Sequence, residues 1–100
     1  MKSICVYCGS SDKIPQVYLD AAHNLGSLLA GRGLTLVYGA GSTGLMGAVA
    51  DGTLQAGGEV WGVMPKMFDT PQLAHNGLTR YEVVENIHLR KARMVEISDG

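Results

Sequence analysis

Leu36-Val37-Tyr38-Gly39-Ala40-Gly41-Ser42-Thr43-Gly44-Leu45-Met46-Gly47-Ala48-Val49-Ala50-Asp51-Gly52 is the stretch that decides the fold. An apolar run enters a glycine-rich turn, and an Ala/Val/Leu segment leaves it at helical spacing. This is the pattern of a strand whose C-terminal end opens into a helix N-terminus. Amides at such a terminus lack partners inside the helix, and the helix dipole favours negative charge, so a phosphate is the natural ligand. Gly39, Gly41 and Gly44 remove side chains that would hold the backbone away from phosphate oxygens. The same three glycines satisfy G-x-G-x-x-G, the dinucleotide fingerprint. That fingerprint follows a first strand and has an acid about 20 residues further on. Here the turn follows the second strand, and the next acids are Asp51, Glu59 and Asp69. A mononucleotide phosphate is favoured over a dinucleotide, and a tight turn without a ligand is the plain alternative.

The rest of the chain supports a parallel α/β arrangement. Ser3 to Cys8 reads as a buried strand, with Gly9-Ser10-Ser11-Asp12 as the loop beyond it. Pro15 suits a helix start, and Val17, Ala21, Leu25, Leu28 and Leu29 recur as one apolar helix face, stopped by Gly31 and Gly33. Leu34 to Tyr38 is the second strand, Thr43 to Ala56 the second helix, and Glu59 to Met64 the third strand. Residues 66–79 are irregular and read as a surface loop. Tyr81 to Val84 is a candidate short strand, and a helix begins at Glu85 or Asn86. Strand, helix, strand, helix, strand implies βαβ units and a parallel sheet flanked by helices. Ligands of such sheets sit beyond the C-terminal strand ends, where the Gly9 and Gly39 turns both lie. Ser98-Asp99-Gly100 reads as a helix end feeding another strand. Three strands alone would leave long unpaired edges, so the chain is expected to be one incomplete Rossmann-like nucleotide-binding domain spanning 1–100.

Composition narrows the function classes. The chain has 100 residues, 46% hydrophobic and 17% charged, with net charge −1. That balance gives no electrostatic case for nucleic acid or an anionic membrane. No apolar run reaches the roughly 18 residues of a membrane span. No cleavable signal pattern precedes the first strand, and the cytoplasm is the expected compartment. Cys5 and Cys8 form a C-x-x-C. In a strand, positions three apart face opposite sides, and no second pair completes a zinc shell. Two buried thiols and no metal are expected.

Three separated motifs carry a family resemblance. Cys8-Gly9-Ser10-Ser11, Tyr38-Gly39-Ala40-Gly41 with Gly44-Leu45-Met46-Gly47, and His88-Leu89-Arg90-Lys91-Ala92-Arg93-Met94 occur in that order. Together they resemble the Lonely Guy family, the cytokinin riboside 5′-monophosphate phosphoribohydrolases. The resemblance implies a Rossmann-like fold, a homodimer and no cofactor. It also implies hydrolysis of the N-glycosidic bond of AMP or its N6-substituted relatives. In that family an arginine of the R-K pair and a glutamate of a downstream P-G-G-x-G-T-x-x-E motif carry the chemistry. The arginine carries over to Arg90 as catalytic residue, with Lys91 beside it, and the glutamate motif has no match here. Members commonly show E-L-A-H where this chain reads Gln72-Leu73-Ala74-His75, so an amide replaces a carboxylate.

The expected substrate contacts are therefore Ser10, Gly39, Gly41, Gly44, Met46, Gln72, Arg90 and Lys91. Arg90 suits a two-pronged contact to phosphate or ribose, or orientation of a carboxylate. Met46 and Leu45 wall an adenine pocket or only start a helix core. His75 and His88 read as structural or exposed, and Asp51 and Glu59 as remote from the strand ends. Glu82 and Glu85 are the nearest acids, and neither looks like a substitute for the missing glutamate. The lysine decarboxylase label that members carry finds no pyridoxal site in this sequence. The rival reading is a non-catalytic carrier of a nucleotide or a phosphorylated cofactor, such as a molybdenum cofactor. An NAD-dependent enzyme is a third, for which no well-placed acid is offered.

Overall fold

The computed structural model describes residues 2–9, 11 and 13–100. Four strands form one parallel sheet in the order β1 (Ser3–Cys5), β2 (Thr35–Tyr38), β3 (Val60–Pro65) and β4 (Arg80–Val84). Three helices cover it, α1 (Gln16–Gly31), α2 (Gly44–Gln55) and α3 (Ile87–Ile97). The candidate strand near Tyr81 is thus a true fourth strand, registered by Trp61 opposite Arg80 and Pro65 opposite Val84. β1 is shorter than the sequence suggested and ends at Cys5.

β2 is buried along its whole length, as a central parallel strand covered on both faces should be. Leu36 and Tyr38 pack with Val60, Val49, Ala50 and Leu29 on the side of α1 and α2. Val37 packs with Val63 and Met94 on the side of α3. Cys8 belongs to the first cluster and Cys5 to the second, so the two free thiols lie on opposite faces and are half-buried. Burial raises the Cys8 pKa and keeps it a thiol. Among the described residues no group of three His, Cys, Asp or Glu is placed to hold a metal, and no helix is long and apolar enough to cross a membrane.

The apolar stripe predicted to face the core from α1 faces outward instead. Leu29 is buried, but Val17, Leu25 and Leu28 are 66%, 40% and 52% exposed. The helix turns a different side to its neighbour because backbones meet there. A Cβ on Gly26 would lie 2.2 Å from the Val49 carbonyl oxygen, and one on Gly52 2.1 Å from that of His23. Close approach at these two glycines fixes the helix rotation, and tertiary contact overrides the leucine periodicity.

Residues 66–79 do more than connect. After a 3₁₀ turn at Lys66–Phe68, the segment replaces the crossover helix between β3 and β4 and pairs with the Gly39 turn, Ala74 opposite Gly41. Leu78 packs against the α1–α2 cluster, above Gly62. At the other end of the sheet, Gly100 donates to the Ser3 carbonyl and accepts from the Cys5 amide at 3.2 and 2.7 Å. That is a parallel pairing along the outer edge of β1. The Asp99 carboxylate accepts from the amides of Lys2 and Ser3 at 2.9 and 3.1 Å.

Two outcomes follow. Replacing Gly26 by alanine gains about 1 kcal/mol of helix propensity, but overpacking against α2 costs about 1–3 kcal/mol. The 2.2 Å approach to backbone, which cannot rotate away, puts the cost at the upper end. Urea denaturation should show a lower midpoint for Gly26→Ala, and a raised one would refute the close contact. The hydrogen bonds to Asp99 hold its pKa below the ordinary 3.8. Its contribution to stability is therefore present above that value and is lost as pH falls through the lowered one. The difference in Tm between wild type and Asp99→Ala should be present at pH 6 and shrink on acidification below 3.8. A pH-independent gap would rule this contact out.

Candidate functional site

The C-terminal ends of β2 and β3 meet the start of α3, and Arg90 binds them together. Asn86 caps α3, its side-chain oxygen accepting from the Leu89 amide at 2.9 Å. One turn later Arg90 leans back towards the helix N-terminus, as helical side chains do. Its Nε donates to the Val63 carbonyl at 3.0 Å, and its Nη2 donates to the Gly39 carbonyl. The guanidinium thus spans two strand ends while its Nη1 has no protein acceptor among the described residues. Burial lowers its pKa. A guanidinium stays charged regardless, so a half-buried, oriented cation faces the space beyond the sheet.

Gly39 begins a turn whose first three carbonyls are all occupied. Gly39 accepts from Arg90, Ala40 from the His75 amide at 2.9 Å, and Gly41 from the Tyr38 hydroxyl at 2.8 Å. Ala40 has a φ of 67°, a left-handed conformation unusual for any residue with a Cβ. Gly62 on β3 makes room for it, since a Cβ there would lie 2.6 Å from that of Ala40. The Ser42 amide donates to the Leu73 carbonyl and the Met46 amide to that of Gly9, both at 3.0 Å. The amides of Gly41, Gly44 and Leu45 have no acceptor among the described residues. Gly44, at φ 62°, starts α2.

Two cavities flank the arginine. One of about 220 Å³ lies towards β1 and α3, between Tyr7, Cys8, Gly39, Met46, Arg90 and Lys91. The other, of about 210 Å³, is lined by Gly41, Met46, Met64, Phe68, Leu73 and Arg90. Met46 and Arg90 border both. The structure thus brings together Gly39, Gly41, Met46, Arg90 and Lys91 of the expected contacts, and places Gly44 at the adjoining helix start. Gln72 is exposed and lines neither cavity, while its carbonyl lies 3.4 Å from the Ser42 hydroxyl. Its neighbour Leu73 meets the site instead. Ser10 lies outside the described residues.

One pair beside the turn has no signal in the sequence. His75 Nε2 lies 2.7 Å from Asp51 Oδ1 on α2, and its Nδ1 accepts from the Gly77 amide at 2.9 Å. The residues are 24 positions apart, and no local pattern links them. Glu82 is bound to Arg93 at 3.2 Å, which removes it as a free carboxylate.

Residues 46–100 match the family model described as "Possible lysine decarboxylase". The chain is 42% identical over 100 residues to the cytokinin riboside 5′-monophosphate phosphoribohydrolase of Rhodococcoides fascians, covering 99% of this chain and 50% of that protein. It is 43% identical over 99 residues to an Oryza sativa subsp. japonica protein named "Probable cytokinin riboside 5′-monophosphate phosphoribohydrolase", covering 99% and 47%. The chain spans about half the length of the curated relatives it matches. Among solved structures, the molybdenum cofactor binding protein of Rippkaea orientalis aligns with a TM-score of 0.81 at 23% identity. That alignment covers 98% of this chain and 58% of that one, and shows the fold alone.

The left-handed turn makes a specific claim about Ala40. A glycine there loses a buried methyl, worth about 0.8 kcal/mol, and relieves a strain of about 1–2 kcal/mol. Ala40→Gly should therefore leave stability within about 1 kcal/mol of wild type. Ala40→Val adds a β-branched residue where φ is positive and should be far more destabilising in urea melts. Equal effects of the two would rule out the left-handed backbone.

Proposed function

This chain belongs to the cytokinin riboside 5′-monophosphate phosphoribohydrolase family, and we propose that it serves the hydrolysis of adenine-type nucleoside 5′-monophosphates. The observation that carries this reading is Arg90, fixed on two strand carbonyls with one side of its guanidinium turned to open space. Water adds to the anomeric carbon, the C–N bond breaks, and its electron pair leaves with the base, which takes a proton. Free base and ribose 5-phosphate result.

The phosphate end of the substrate meets the amides at the start of α2, and Lys91, which lines the first cavity, adds a positive charge on the side of α3. Arg90 holds the ribose or the phosphate through its unused N–H groups, so that remote binding energy orients the sugar. Met46 forms the wall against which the base packs. The oxocarbenium-like transition state of such reactions calls for a carboxylate beside the anomeric carbon. Neither cavity beside Arg90 is lined by one among the described residues. The carboxylate then comes from elsewhere in the assembled enzyme, in keeping with the family's glutamate motif. A homodimer in the cytoplasm is part of the same proposal; the exposed Ile87 and Val95 on α3, beside the first cavity, support the dimer.

Incubation of the full-length protein with AMP should release adenine, read by chromatography. Replacing Arg90 by alanine should lower kcat/KM by about 10²–10³, the range for removing a positioned donor, with the fold retained by circular dichroism. Near-normal turnover in a folded Arg90→Ala protein would take Arg90 out of the reaction. Binding of the monophosphate without base release would favour a carrier.

A further inference from the structure

The site leaves unexplained why a histidine–aspartate pair sits behind it. The His75 side chain is 12% exposed and that of Asp51 is 48% exposed. The ring makes two hydrogen bonds of defined sense. Its Nδ1 accepts from the Gly77 amide, which places the ring proton on Nε2, where it is donated to Asp51. With both nitrogens held, the imidazole is pinned between α2 and the 66–79 segment, and it lines neither cavity beside Arg90.

What the pinned residue does is set by its own backbone. The His75 amide donates to the Ala40 carbonyl at 2.9 Å, and Ala40 is the left-handed residue of the turn. The preceding carbonyl, that of Gly39, is the acceptor for Arg90 Nη2. A left-handed alanine persists only where its surroundings over-determine it. The described contacts that do so are Gly62 beneath, the Tyr38 hydroxyl on Gly41, and the His75 amide above. We infer that Asp51 and His75 are a positioning pair for Arg90, acting through the Ala40 and Gly39 peptide units. The consequence for catalysis rests on the reading of Arg90 given above; the mechanical link does not.

The inference predicts a signal that a mere loop staple would not move. In full-length protein labelled with [¹⁵N]arginine, the Arg90 Nε–H donates to Val63 and should exchange slowly with water. In Asp51→Ala, which changes a half-exposed helix position to a good helix former, that exchange should speed up by about tenfold or more. The kcat for AMP should fall by about tenfold to a hundredfold, as for a misplaced catalytic group, with KM changing less. His75→Ala should behave likewise, and His75→Gln, whose side-chain amide can still donate to Asp51, should restore both readouts. Unchanged Arg90 exchange in folded Asp51→Ala and His75→Ala proteins would overturn the inference. So would changes that glutamine does not rescue and that only track Tm. Faster Arg90 exchange with full turnover would uphold the pair's mechanical role and overturn instead the catalytic reading of Arg90.

Discussion

A left-handed alanine at the end of a buried strand is the constraint on which the site depends. Ala40 turns the chain sharply after Tyr38 and sends the Gly39 carbonyl towards α3 and its own towards the 66–79 segment. The strain of that backbone, of the order of 1–2 kcal/mol, is held by neighbours from β2, β3 and the 66–79 segment. Arg90 then closes the arrangement from the opposite layer. Its two bonds to strand carbonyls satisfy acceptors that the end of a parallel sheet would otherwise leave open. The same bonds fix the direction of its remaining N–H groups.

The helices serve this geometry through close approach rather than bulk. Gly26 and Gly52 let α1 and α2 touch backbone to backbone, which places the start of α2 beside the Gly39 turn. Thr53, fully buried between the helices, returns its hydroxyl to the Val49 carbonyl at 2.9 Å and leaves no polar atom stranded. On the other face Met94 anchors α3 against Val37 and Val63, one turn beyond Arg90. A core residue and a site residue thus share one helix, so packing and chemistry are positioned together.

Much of this was legible in the sequence because its causes are local. The Leu36–Gly52 stretch marks its strand, turn and helix through short-range pattern, and Arg90 stands out through its motif. Other features have causes distant in the chain. The α1 stripe of Val17, Leu25 and Leu28 has helical periodicity but faces outward, because the helix rotation is decided by glycines on two helices. Asp51 and His75 meet across 24 residues through a segment that has no periodicity to read. Gln72 stands out in the sequence as a departure from a family pattern, yet it is Leu73 that reaches the cavity, a matter of which residue a turn points inward.

The most direct measurement is a crystal structure of the full-length protein with AMP or ribose 5-phosphate bound. The account predicts the sugar phosphate within hydrogen-bonding distance of Arg90 and of the amides that open α2, and with AMP the base against Met46. A ligand seated instead in the groove of about 550 Å³ between Asp69, Asn76 and Tyr81 would contradict it.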